Sequence, residues 1–235
     1  MRNYIVFNGI NCSDFGVYVS GQGTYDSPTR EYEAISVPGR NGDILSTEKR
    51  FENVELKYPA FIYKDFEKNL AGFREAMLSS EGYCRLEDTY HPEEFRMAFF
   101  RGDIKPKVRS RNDAGEFDIV FNCKPQRFLK LGEVTQEIAT GGSITNPTEF
   151  YSRPLIKVTG YGTLTINSET ITIANTYASV VIDSEILDCY SGTQNANGAV
   201  SFSSNDFPAL RPGVNNFTFD NTITKLEVTP RWWRV

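Results

Sequence analysis

At 235 residues, with 40% hydrophobic and 13% aromatic content, the chain can bury a substantial core; this excludes general disorder and leaves room for two ordinary domains. Its 25 basic and 30 acidic residues leave a formal charge of -5, which excludes a general attraction to nucleic acid or anionic lipid, though not a local patch. The four cysteines, Cys12, Cys84, Cys123 and Cys189, are too dispersed for a small zinc site and read as buried side chains in a reducing compartment, and no apolar run reaches membrane-spanning length or resembles a secretory signal.

The first stretch, YIVFNGINCSDFGVYVS, predicts short strands broken by turns at Asn8-Gly9 and at Asp14 to Gly16. In EYEAISVPGRNGDIL, Pro38, Gly39, Asn41 and Gly42 form a tight loop, which predicts a hairpin arm with a rigid tip. VELKYPAFIY then alternates as a half-buried strand should. Only KDFEKNLAGFREAMLSSEGY breaks the strand pattern. There Phe66, Leu70, Phe73 and Met77 recur at helical spacing, Asp65 is placed to cap the start, and Ser79, Ser80 and Gly82 can end the helix. That stripe predicts one helix with a single buried face packed on a sheet.

Strands are expected on both sides of His91, in YCRLEDTY and FRMAFFRGDIKPKVRSR, and again in GEFDIVFNCKPQRFLK, where Phe117, Ile119 and Phe121 share a face. Composition shifts near residue 131 towards Gly, Ser, Thr and Asn. From there LIKVTG, GTLTI, TITIA, SVVIDSEILDCY, NNFTFD and KLEVTP read as short strands, with a hairpin around Asn167 to Glu169. A boundary near 130 gives a first domain at 1-130, mainly β with one helix, and a second at 131-235 whose density of strands and turns favours a β sandwich.

Candidate chemistry is sparse. His91 is the only histidine, so any Ser-His-Asp or Cys-His site would have to recruit it, yet Pro92 follows it and Asp88, Glu93 and Glu94 fit a solvated turn. Asp183 and Glu185 would share one strand face if extended, which does not set two carboxyls across a cleft as glycoside hydrolysis requires. No catalytic residue, cofactor site or metal site is expected, and the protein is not expected to be an enzyme. In RGDIKPKVRSR, an extended backbone would put Lys105, Lys107, Arg109 and Arg111 on one face and Val108 on the other. Without a nucleic-acid motif, that stripe suits an acidic protein neighbour better than phosphate. Trp232 and Trp233 suit either a packed terminus or an interface, and Tyr161, Tyr177 and Tyr190 suit either packing or a saccharide surface.

Several ordered stretches resemble one family, the distal tail proteins (Dit) of long flexible-tailed bacteriophages. They are FNGINCSDFGV, YEAISVPGRNGDIL with its Pro38-Gly39-Arg40-Asn41-Gly42 turn, YCRLEDTYHPEEFRMAFF, FDIVFNCKPQRF, GSITNPTEFYSRPLIKVTGYGTLTI, VVIDSEILDCYSG and FPALRPGVNNFTF. Together they span nearly the whole chain, although Asn41 stands where the family's turn usually carries aspartate.

The resemblance implies a mainly β protein. Its N-terminal domain would be a β sandwich with one helix and an extended hairpin or belt, and its C-terminal domain a galectin-like or carbohydrate-binding-module-like β sandwich. It further implies a homo-hexameric ring at the distal end of a phage tail, in a virion or prophage tail component assembled in the bacterial host cytoplasm. Its partners would be the tail tube protein, the tape measure protein and the tail tip or baseplate hub protein, with DNA passing through the ring without specific binding and no membrane insertion. A receptor-binding protein or a saccharide is a further partner to consider for the second domain, and saccharide binding in host adsorption is the alternative function. For such a ring, Arg40, Asn41, Lys105, Lys107, Arg109 and Arg111 are the expected interface residues.

Overall fold

A computed structural model describes residues 2–21, 24–47, 50–109, 113–204 and 206–235. The chain divides into two compact units, one through Arg127 and one from Phe128 to Arg234. Among the described residues no helix is long and apolar enough to cross a membrane.

The first unit contains β1 (Ile5–Phe7), β2 (Ile10–Asn11), β3 (Val17–Val19), β4 (Glu33–Ile35), β5 (Ile44–Ser46), β6 (Val54–Ile62), the helix α1 (Phe66–Leu78), β7 (Cys84–Asp88), β8 (Glu94–Phe100), β9 (Lys107–Val108) and β10 (Gly115–Leu129). Asn8 and Gly9 both have positive φ, which is the backbone a two-residue hairpin turn needs to join β1 to β2. The main sheet runs β2-β1-β7-β8-β10-β6-β3, with β9 added against β10. It curls until Asn3, just before β1, meets Val19 in β3 through an antiparallel bridge.

The core follows from period two. The longest pairing sets β10 antiparallel to β6 from Gly115 opposite Ile62 to Cys123 opposite Val54. Leu56, Tyr58, Ala60 and Ile62 of β6, and Phe117, Ile119, Phe121 and Cys123 of β10, therefore share the inner face and are buried. Against them α1 places Phe66, Leu70, Phe73 and Met77, all buried as their spacing predicts. Phe73 meets Phe15 at 6.2 Å and Phe117 at 6.1 Å between ring centroids. Gly115 is needed here, because a Cβ on it would lie 2.4 Å from the Phe66 ring.

The helix cap differs from expectation. Asp65 has φ 51 and makes no side-chain capping bond. The β9–β10 connection supplies the acceptors: the Asp113 carbonyl takes the Phe66 N–H at 3.2 Å, and Asp113 Oδ1 takes the Asp65 N–H at 3.1 Å. A tertiary neighbour thus satisfies donors that a local cap would otherwise serve.

The second unit contains β11 (Gln136–Glu137), β12 (Ser143–Asn146), β13 (Leu155–Gly160), β14 (Gly162–Ile166), β15 (Glu169–Ile173), β16 (Ser179–Asp183), β17 (Asp188–Ser191), β18 (Gln194–Asn195), β19 (Val200–Phe202), β20 (Gly213–Phe219) and β21 (Ile223–Thr229). One sheet is ordered β11-β21-β13-β16-β17-β18 and the other β12-β20-β14-β15-β19. Ile156, Val158, Leu164, Ile166, Ile171, Ile173, Val180, Ile182, Phe217, Leu226 and Val228 form the core of this β sandwich. SVVIDSEILDCY, read as one strand, is a hairpin: Leu187 has φ 57 and the chain reverses between β16 and β17. Asp183 helps to turn it by accepting the Glu185 N–H at 3.0 Å, so these two carboxylates do not share an extended face.

Candidate assembly interface

The first unit carries a feature that buries almost nothing of itself. Among the described residues, strands β4 and β5 pair only with each other, through Glu33–Ser46, Ala34–Leu45 and Ile35–Ile44. The ribbon continues towards the body through the Arg30–Phe51 bridge, the Glu31–Arg50 ion pair at 3.0 Å and the Arg30 guanidinium over the Phe51 ring. Between Tyr25 and Glu52, every described residue except Pro28, Val37 and Phe51 is exposed. The tip is tight: the Val37 carbonyl accepts the Arg40 N–H at 3.1 Å, while Gly39 and Gly42 have φ 80 and 79.

On this ribbon Tyr32 is 62% exposed, Ile35 44%, Ile44 41% and Leu45 64%. A two-stranded ribbon is marginal in water by itself, and its outer edges offer unpaired N–H and C=O groups. Apolar side chains on both strands of such an arm leave apolar surface uncovered in the single chain.

Of the residues expected at an interface, Arg40 and Asn41 lie at the exposed tip of this arm. The basic stretch lies elsewhere, beside β9. Only Lys107 and Val108 pair there as a strand, since Pro106 has no N–H to offer a ladder, and Val108 is exposed together with its basic neighbours. Lys105 pairs with Asp103 at 3.1 Å, Arg109 pairs with Glu116, and Lys107 stands opposite Glu116 in register. Carboxylates of the same chain therefore meet much of this positive charge. Arg111 lies outside the described residues.

At the root of the arm is a buried polar cluster around the His91 turn. Asp88 Oδ1 accepts the N–H groups of Tyr90 and His91 at 2.9 and 2.7 Å and also meets His91 Nδ1 at 3.1 Å. The Tyr58 hydroxyl donates to Asp88 Oδ2 at 2.8 Å, and burial, the Asp88 charge and this bond hold its pKa well above the tyrosine range. Beside them Glu94 pairs with Arg127 at 2.6 Å. Burial lowers the pKa of the Arg96 guanidinium, while Cys123 is pushed up to about 12 by burial.

The cluster holds the chain where it leaves for the arm. Tyr90 donates its hydroxyl to the Gly21 carbonyl at 3.3 Å, and the Tyr25 ring stands edge-on to His91 at 5.5 Å. Sequence reasoning placed His91 in a turn but missed Arg96, Arg127 and the burial of Glu94. The signal was parity: Glu94 and Arg96 share the face of Ala98 and Phe100, and Arg127 shares that of Phe121 and Cys123, so charges occupy inward positions of two strands.

In the second unit, Asp183 forms a two-pronged pair with Arg231 at 2.6 and 3.1 Å. Burial alone would raise its carboxyl pKa, but the hydrogen bonds and charge of Arg231 outweigh that and leave it below the ordinary aspartate value. Trp232 is core, whereas Trp233 stacks on Phe150 at 4.5 Å and donates its indole N–H to the Tyr151 carbonyl. Tyr177 bonds the Asn195 carbonyl, Tyr190 pairs with Asn195 in register, and the Tyr161 carbonyl accepts from the Thr222 hydroxyl.

No protein-family model matches the sequence, and no curated relative matches it. The structure is similar to that of the Dit protein (gp 19.1) of phage SPP1, with a TM-score of 0.67, over 97% of this chain and 98% of that one. The fold is Dit-like. Sequence identity to SPP1 Dit is 13%, so the likeness is one of architecture. The SPP1 structure is described as a paradigm of the hub adsorption apparatus of phages infecting Gram-positive bacteria. A mainly β chain, with one α-helix among the described residues, is thus the architecture expected and the one found.

Proposed function

We propose that the protein is a structural component of a phage tail, acting as the distal tail protein that forms a homo-hexameric ring between the tail tube and the tail tip or baseplate hub. The observation that carries the tail role is the Dit-like fold over 97% of the chain. The tail tube, tape measure and hub proteins are its neighbours in this reading, and the central opening lets DNA pass during ejection. It places the protein at the distal end of the virion tail, after assembly in the host cytoplasm.

Self-assembly finds its support in the arm. Closed rings use one patch of each subunit against a complementary patch of the next, so every such contact is made. An arm that exposes Tyr32, Ile35, Ile44 and Leu45 supplies a patch with apolar surface to bury. The same reading makes the protein non-catalytic: Asp88 holds the turn around His91, and Asp183 is engaged by Arg231.

Light scattering of the purified full chain across a concentration series, followed by particle imaging, tests the ring. Six-subunit rings are expected, alone or after mixing with the tail tube and hub proteins. A chain that stays monomeric alone and also fails to join those proteins overturns the proposal. Release of soluble sugar or peptide from cell walls by the pure protein would overturn its non-catalytic half.

A further inference from the structure

The polar cluster at the arm's root borders a small, half-open cavity lined by Tyr58, Leu86, Asp88, His91, Glu94, Phe95, Arg96 and Arg127. It offers about 10 Å³ to the centre of a water-sized sphere, close to what one water molecule needs and too little for a larger ligand. Two lining side chains bring polar atoms that meet no hydrogen-bonding partner among the described residues: His91 Nε2 and Arg96 Nη1, both buried. Arg96 is only 8% exposed, so this orphan belongs to an almost fully buried cation. A buried donor or acceptor left unsatisfied is destabilising, and a charged one more so.

Charge and hydrogen-bond polarity select the occupant. Arg96 and Arg127 face Asp88 and Glu94 around the cavity, so the fixed charges balance and favour a neutral molecule. Arg96 Nη1 can only donate. His91 Nδ1 lies 3.1 Å from the Asp88 carboxylate, so the tautomer that matches this contact carries its proton on Nδ1 and offers Nε2 as an acceptor. A halide would suit the guanidinium but meet the Nε2 lone pair and two carboxylates; a small cation would suit Nε2 but meet the guanidinium.

We propose that this cavity is a binding site for one ordered water, which accepts from Arg96 Nη1 and donates to His91 Nε2. Its second proton has the lining carboxylates as acceptors. The bridge fixes the His91 ring, which the Tyr25 ring meets at an interplanar angle of 77°, and so ties the interior of the sheet to the residues that lead into the arm.

Because His91 is the chain's single histidine, ¹⁵N-histidine labelling of the full-length protein reports its two ring nitrogens without ambiguity. The expected neutral-pH pattern is a protonated Nδ1 and a hydrogen-bonded, unprotonated Nε2. A crystal structure that resolves buried waters should show one density peak within hydrogen-bonding distance of both His91 Nε2 and Arg96 Nη1. In Arg96→Met, which removes the donor, the peak should vanish and the Nε2 signal should shift towards that of a free acceptor. A proton on Nε2, an empty cavity in such a structure, or an unchanged Nε2 signal in Arg96→Met overturns the proposal. If Arg96→Met does not fold, the wild-type ring signals and the density decide the question.

Discussion

Replacing Leu45 with aspartate tests whether the arm joins subunits. Leu45 is 64% exposed in the single chain, on a strand that pairs, among the described residues, only with its hairpin partner. Fully burying a leucine is worth about 1.5–3 kcal/mol, so covering the exposed two-thirds of this one contributes about 1–2 kcal/mol per contact. Losing that lowers the association constant by about 5- to 30-fold, before the added cost of desolvating a carboxylate. The effect compounds around a ring, where each subunit contributes an arm. The monomer should hardly notice, since exposed positions of this kind change stability by only about 0.5 kcal/mol. Sedimentation velocity over a concentration series, paired with thermal melts, separates the two effects. An aspartate variant that assembles at the same concentrations as the parent would refute the role given to the arm, and a large fall in Tm would refute the claim that Leu45 contributes little to the monomer.

Phe73→Ala should destabilise the first unit by about 3–5 kcal/mol, because the side chain is fully buried between Phe15 and Phe117; chemical denaturation measures it. Gly160→Ala should destabilise the second unit, since Gly160 lies where the β13–β21 register shifts, has φ +104, and an added Cβ would lie 2.2 Å from the Thr222 carbonyl oxygen; a cost of about 1–3 kcal/mol in the melt is expected, and a neutral result would contradict that close approach. Asp183 has a folded pKa below its unfolded value of about 3.9, so its contribution is present above that value and fades as pH falls through the lower folded one. Asp183→Asn should therefore lower Tm at neutral pH by an amount that shrinks on acidification, and a gap that widens in acid would reverse the assigned sign. Lys105→Ala should leave stability within about 0.5 kcal/mol, as the Asp103 pair is exposed and local.

Much of the framework was legible because it rests on local periodicity. The stripe Phe66, Leu70, Phe73 and Met77 predicts a helix and its buried face without reference to any partner, and the alternation in FDIVF predicts which side of β10 turns inward. Tight turns were legible for the same reason: Asn8-Gly9 and Pro38 to Gly42 have backbone demands that their own residues meet. Features that depend on distant residues were not. The helix start is satisfied by Asp113 across the fold, although Asp65 stands at the position where a local cap is expected. The hairpin inside SVVIDSEILDCY escaped notice because its apolar content reads as a continuous strand, while Asp183 is drawn into the turn and into its pair with Arg231, far away in sequence.

His91 shows the division most clearly. Its neighbours in the chain imply a turn, and a turn is what forms, through Asp88 accepting two backbone N–H groups. Its position at the arm's root is set by residues from separate strands: Tyr58 from β6, Glu94 and Arg96 from β8, and Arg127 at the end of the first unit. Periodicity and turn chemistry act over a few residues and can be read along the chain. Burial of charge depends on which strands become neighbours and how far the sheet curls, and only the folded structure decides that.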